Sequence, residues 1–333
     1  MSRSRSAAKA GFALPSVLFV VAMVTLVFLV AIQALASLAG ETRRIRGGVR
    51  FEAEALSLEA QAAFDAATAP VGPSALLSDD GPAPRPVLAL DGRPYAAAGG
   101  LVLGVQDEAG LINLDNLPTG ARLRLFTAMG VAPADQAVMA DRLGDYLDIG
   151  DLKRPLGADS ADYLRAGQPA PPDGPLTRRA QVLGVLGWRE AVPAPLWRRF
   201  ADNVTADPTS TTVNVNTATA ATLQVLYGLT SAQAAAAIAR RQAAPFTELE
   251  DLGRATGLKL VSDAERVYTM PDGRFQVRIE DPATGFVGRA RLLLSPDDAA
   301  RPFWVVERAV SQPPPAERTP PPAHAQPFAD PAA

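Results

Sequence analysis

The first pattern along the chain is a run almost without polar residues. From Phe12 to Ala39 only Ser16, Thr25, Gln33 and Ser37 interrupt the apolar positions, and none of them is charged. A helix of this length reaches about 42 Å at about 1.5 Å per residue. A membrane span needs about 20 residues, whereas the apolar part of a cleavable secretory signal has about 7–15. The run therefore predicts a transmembrane helix. Ala34-Leu35-Ala36 also matches a small-residue cleavage site, which leaves removal after Ala36 as an alternative. Helical spacing then continues through Ile45, Val49, Ala53, Leu56, Ala60 and Phe64. One helix over 12–67 is predicted. Gly47-Gly48 is either a soft point within it or a break between two helices.

Beyond this helix the period changes. Residues 69–86 are rich in proline and glycine and read as loop. Strand-like pieces follow around Asp91-Gly92, a hairpin signal, and Gly99-Gly100. The centre carries a repeat: "LINLDNLPTGARLRLFTAMG" from Leu111 and "TVNVNTATAATLQVLYGLTS" from Thr212. Each copy opens with alternating apolar and Asn/Asp positions, Asn113 and Asp115 in one, Asn214 and Asn216 in the other. Each then runs into a helix, a glycine turn at Gly130 or Gly228, and a second helix. The asparagines are expected to satisfy local backbone groups and to cap the helix that follows. Near the C-terminus Phe275, Val277 and Ile279 alternate with Gln276, Arg278 and Glu280, which predicts a strand buried on one face. Asp281 to Gly285 turns the chain, Val287 to Leu294 returns it, and Phe303 to Arg308 adds a further strand. From Ser311 the chain is proline-rich and is expected to be disordered.

Composition narrows the chemistry. Among 333 residues the net charge is −3, with 20% charged residues and no cysteine. A polyanion-binding surface, disulfides and thiolate metal sites are thereby disfavoured or excluded. The single histidine, His324, lies in the proline-rich tail, so the usual general base is missing from the folded part. P-loop, G-x-G-x-x-G, H-E-x-x-H and G-x-S-x-G patterns are absent, and an enzyme is not expected. One acidic group stands out. Asp145, Asp148 and Asp151 gather near a helix end, and Asp159 and Asp162 follow a glycine turn. Hard oxygen ligands on a loop suit calcium, and a solvated acidic surface is the alternative; the spacing is not that of an EF-hand.

The N-terminus carries a family signal. Residues 1–10 contain Arg3, Arg5 and Lys9 and no acid, and Gly11 precedes the abrupt apolar start at Phe12. This package resembles the leader of type IV pilins and type II secretion pseudopilins. That resemblance implies cleavage between Gly11 and Phe12 by a prepilin peptidase, N-methylation of Phe12, and a cytoplasmic N-terminus. Charge alone gives little orientation, because Arg43, Arg44, Arg46 and Arg50 are opposed by Glu41, Glu52 and Glu54. The second central repeat resembles a helix-hairpin-helix module. Its hairpin, Gly228-Leu229-Thr230-Ser231, lacks the second glycine and any basic residue, and Glu248, Glu250 and Asp251 offset Arg240 and Arg241. Packing against protein is thus favoured over nucleic acid.

The order of motifs from about residue 9 to 310 resembles the K minor pseudopilins of type II secretion. It rests on Gly11-Phe12, "DEAGLINL", "DYLDIGD" with "GADSADYL", "PLTRRAQVLGVLGW" and "VNVNTATAATL". The implied fold is α+β: a pilin-like fold with a long N-terminal transmembrane helix, a small antiparallel sheet and a large inserted α-helical domain of helix-hairpin-helix or SAM-like repeats. The boundaries read as leader 1–11, helix 12–67, strands and loops 68–109, insertion 110–270 (repeats about 111–150 and 212–252), C-terminal strands 271–310 and tail 311–333. Pilins usually carry a glutamate five residues into the mature chain; here that position is Ser16, as is characteristic of the K family, which is placed at the pseudopilus tip. The resemblance further implies the I and J minor pseudopilins and an inner-membrane assembly platform as partners. It implies a single-pass inner-membrane location with a periplasmic C-terminal part, and calcium held by Asp145, Asp148, Asp151 and Asp159. The family's usual tryptophan in that acidic region is replaced by Tyr146. A membrane-anchored helix-hairpin-helix protein that binds DNA during uptake is the competing reading.

Overall fold

The structure is a computed structural model that describes residues 13–79, 83–150, 152–260, 267–298, 300–315 and 326–328. It divides into Met1–Glu54 and Ala55–Ala333. Helix α1 (Ala13–Thr68) is a single helix of 56 residues, continuous through Gly47-Gly48. Its apolar residues from Leu14 to Leu38 are exposed on every face, with Leu14 71% and Phe28 64% accessible. A helix that is apolar all round belongs in a core or in lipid. In the second unit the end of α1 carries the buried small residues Ala55, Ala62, Ala63 and Ala66.

The strands come in two blocks separated by helices. Strands β1 (Ala75–Leu77) and β2 (Pro86–Ala89) pair antiparallel. Strand β3 (Tyr95–Ala96) pairs with β4 (Val102–Asp107). The Asp91-Gly92 turn therefore does not close a hairpin; it passes the chain from one sheet to the other. The strand before the turn is taken up by β1 and Asp91 bridges to Gln106 of β4, while Asp91 Oδ1 and Oδ2 hold the Arg93 guanidinium at 2.8 and 2.7 Å and Tyr95 Oη accepts from Ala89 N. Short β5 (Ile112–Asn113) leads into helices α2 (Thr119–Met129), α3 (Pro133–Leu147), α4 (Ser160–Arg165), α5 (Trp188–Ala191) and α6 (Ala194–Phe200). Strand β6 (Val204–Thr205) closes this half by pairing parallel with β5. The second half repeats the plan on a smaller scale. Strand β7 (Val213–Asn214) leads into α7 (Ala220–Tyr227), α8 (Ser231–Ala243) and α9 (Leu249–Thr256), and β8 (Val267–Tyr268) pairs parallel with β7. Each half has its own core, one around Phe126, Leu143, Trp188 and Trp197, the other around Leu223, Leu229, Phe246 and Leu252.

Strands β9 (Arg274–Glu280), β10 (Val287–Leu294) and β11 (Phe303–Ser311) then complete a six-stranded sheet in the order β11-β10-β9-β4-β3-β12. The helical region is thus an insertion between β4 and β9, which are hydrogen-bonded neighbours. Phe275, Val277 and Ile279 are buried as their alternation predicts. At the edge, Arg308 of β11 donates through Nε to Glu59 of α1 at 2.9 Å. The tail departs from the expectation of disorder at both of its described ends. Ser311 is still in β11, and β12 (Gln326–Pro327) pairs parallel with Tyr95 and Ala96. The backbone of the short strand β3 is open on that side and accepts a partner despite the low apolar content of the tail.

Candidate functional site

The joint between sheet and insertion is built from residues far apart in sequence. Asp107, the last residue of β4, is fully buried. It accepts hydrogen bonds from Thr217 Oγ1 at 2.7 Å, Asn214 Nδ2 at 3.0 Å and Ala109 N at 3.1 Å. Burial pushes its carboxyl up to about 7, with Asp272 adding to the rise against those bonds. On the polar face of the sheet, arginines reach into the insertion. Arg289 holds Asp202 through Nε at 2.9 Å and Nη2 at 3.0 Å, and Arg278 pairs with the same carboxylate. Burial alone would raise Asp202, but Arg289, Arg278 and Arg179 hold it below the ordinary carboxylate range. Arg291 bridges Glu108 and Asp207. A cleft of about 230 Å³ lies here, but arginines 278, 289 and 291 in its wall are already paired.

The repeat asparagines are structural: as expected they satisfy local backbone groups, Asn113 Oδ1 accepting from Asp115 N and Asn214 Oδ1 from Asn216 N, but they do not cap the helices that follow. Asn113 Nδ2 donates to Asp207 O and Ser210 O, and its Oδ1 accepts from Asp207 N. Asn216 brackets Phe246 in the same manner, Nδ2 to its carbonyl and Oδ1 from its N–H. Both side chains stitch the opening of a repeat to its far end. The following helices are capped otherwise, α2 from Pro118 with no side-chain bond and α7 by Thr219. In the hairpin of the second repeat the Thr230 amide is engaged within the chain. Gly228 is left-handed (φ 69°), and the Thr230 N–H is bonded to Gln233 Oε1 in a capping box at the start of α8. Arg241 is buried and donates to Val215 O and Ala218 O.

The acidic residues do not converge. Asp145, in the last turn of α3, is buried and accepts from Arg154 Nη1 at 2.6 Å, Arg154 N at 3.2 Å and Ala158 N at 3.0 Å. Asp148 is exposed, accepts from Gly150 N and pairs with Arg154 Nη2 at 3.1 Å. Those two donors hold its carboxyl below the usual range. Asp159 caps α4 by accepting from Asp162 N, and Asp162 pairs with Lys153 and, at 2.6 Å, with Arg165. Asp151 lies outside the described residues. Among the described residues no three acidic or histidine side chains form a group able to hold a metal ion. Asp145 and Asp148 are both bonded to Arg154 and Asp159 is taken up as a helix cap, so these three described side chains do not fit the expected calcium site. The partners Lys153 and Arg154 were missed, although "DLKRPLGADSADYL" places both basic residues inside the acidic stretch.

At the N-terminus, Ser16 sits on the exposed apolar part of α1, and Gly11 and Phe12 lie outside the described residues. Among those described, α1 is the one helix long and apolar enough to cross a membrane.

The fold is a long apolar helix followed in the chain by a small antiparallel sheet that carries a helical insertion. Residues 105–209 match the family model described as type II secretion system (T2SS), protein K, and residues 209–260 match a helix-hairpin-helix motif. The fold is similar to a chain in the crystal structure of the GspK-GspI-GspJ complex from the enterotoxigenic Escherichia coli type 2 secretion system. The TM-score is 0.53 at 15% identity, covering 82% of this chain and 99% of that one. No curated protein sequence matches the chain significantly. Residues 105–209 are thus similar to the type II secretion protein K family, and the fold as a whole is similar to that of the solved chain.

Proposed function

We propose that this protein is a minor pseudopilin that sits at the tip of the pseudopilus with the I and J minor pseudopilins and primes filament assembly on the inner-membrane platform. The similar solved chain belongs to a GspK-GspI-GspJ complex, which supports these partners. A prepilin peptidase cuts between Gly11 and Phe12 and Phe12 is N-methylated. The helix then crosses the inner membrane once, with the part beyond it in the periplasm. The observation that carries the reading is the apolar helix, exposed on every face from Leu14 to Leu38, in front of a sheet burdened with a large insertion. The same surface serves lipid before assembly and neighbouring helices after it. Ser16 supplies no carboxylate to neutralise a buried N-terminal amine, and an unpaired buried charge is costly. A subunit with nothing stacked beyond it tolerates that. The hairpin amide and Arg241 are consumed by internal bonds, which favours protein packing over DNA binding.

The test is mass spectrometry of the mature chain together with co-purification. The reading expects Phe12, methylated, at the N-terminus and a stable complex with the I and J subunits. A mature N-terminus at Ser37, or salt-sensitive DNA affinity without I–J binding, would remove it.

A further inference from the structure

Calcium loops point oxygen atoms inward; six to eight carboxylate, carbonyl or water oxygens surround the cation. The segment after α3 has the opposite polarity. Here N–H groups point inward at a carboxylate: the Arg154 guanidinium and the backbone amides of Arg154 and Ala158 all donate to Asp145. The seat is closely fitted. A Cβ on Gly157 would lie 1.6 Å from Asp145 Oδ2, so only glycine lets the chain pass over the carboxylate. On the other side, a Cβ on Gly144 would lie 2.7 Å from both Arg122 Nη1 and Arg154 Nε. Two guanidinium groups therefore lie close to the α3 backbone beside Asp145. Burial, and then the nearness of Arg154, lower the pKa of Arg122. Arg154 reaches on to Asp148, and Lys153 takes Asp162.

The geometry points to Arg154, assisted by Lys153, as the built-in counter-ion of this segment, which folds around Asp145 without a divalent cation. A metal entering here would have to displace a forked, charge-assisted pair and sit beside two guanidinium groups, which like-charge repulsion opposes. Arginine fits the role better than lysine because its planar fork reaches Asp145 and Asp148 together.

The experiment uses the full chain purified in detergent and reads thermal unfolding from tryptophan fluorescence, with calorimetric titration of calcium alongside. The wild-type protein is expected to melt at the same temperature in chelator and in millimolar calcium, and to give no saturable binding heat. Arg154→Ala is expected to lower the melting temperature by several degrees, with Arg154→Lys in between. Saturable calcium binding by the wild-type protein with a raised melting temperature would overturn the inference. So would an Arg154→Ala variant that melts like the wild type. If Arg154→Ala does not fold, the wild-type calcium titration decides alone.

Discussion

Thr217 donates a 2.7 Å hydrogen bond to Asp107 across a sequence separation of 110. The bond ties the last residue of β4 to the opening of the second repeat, so the sheet and its insertion share one buried polar centre. Asn214 completes it from the same segment, reaching both Asp107 and Pro73 O. A charge in this place is expensive, which is why the Asp107 carboxyl is driven up to about 7.

The raised value has a definite sign for stability. Between the unfolded value of 3.8 and about 7, the folded chain keeps a proton that the unfolded chain has released. Stability from this group therefore falls as pH rises through that window and is flat above it, by up to about 4 kcal/mol in total. Urea unfolding of Asp107→Asn is expected to show a flatter pH dependence than the wild type from about pH 4 to about pH 7. Equal slopes for the two proteins would show that the carboxyl does not titrate there.

Arg124 of α2 closes the open end of α7. Its Nε donates to Val225 O at 2.7 Å and its Nη2 to Leu226 O at 3.1 Å. A cation on the last carbonyls of a helix satisfies orphan acceptors and complements the dipole. Arg124→Met is expected to cost about 1.5–3 kcal/mol, the range for hydrogen bonds from a charged group, read as a lower urea midpoint. An unchanged midpoint would mean that water replaces the guanidinium without loss.

Trp188 is the centre of the larger core. It meets Phe126 and Trp197 edge-on, each at 5.6 Å between ring centroids, and is almost fully buried. Trp188→Ala is expected to lose about 3–5 kcal/mol. Its Nε1 has no hydrogen-bond partner among the described residues. Trp188→Phe should therefore cost less than about half as much, because only volume is lost. Equal losses in chemical denaturation would point instead to a missed polar contact.

How much of this was legible beforehand depended on the range of the interaction. The alternation of Phe275, Val277 and Ile279 is a local signal, and their burial follows from it directly. The length of the apolar run likewise announces α1, because span length is a property of one segment. Asn113 and Asn216 are different. They read as caps for the next helix, yet Asn113 binds a residue 94 positions away and Asn216 one 30 away. Nothing in the local pattern names a distant partner. The acidic stretch is ambiguous for a related reason: residue types alone suit either a cation or a salt-bridge network, and only the backbone path decides whether oxygens or N–H groups face inward. That path turns on Gly157, whose need for close approach is invisible without Asp145 beside it.

Gly110 offers the sharpest test of the joint. It follows β4 in the "DEAGLINL" stretch, and a Cβ there would lie 2.5 Å from Thr217 O and 2.7 Å from Gln106 Nε2. The first of these is backbone and cannot rotate away. Thr217 O also receives a bond from Gln106 at 3.1 Å, and Gly110 O receives Thr219 N and Thr222 Oγ1. A methyl group would push the two strands of chain apart and strain all of these bonds together. Gly110→Ala is expected to cost about 2–3 kcal/mol, toward the upper end for overpacking. Hydrogen exchange should locate the damage: faster exchange at the Thr217 and Thr219 amides, with β10 and β11 unchanged. Loss spread evenly over the sheet, or no loss, would contradict a joint that depends on this contact.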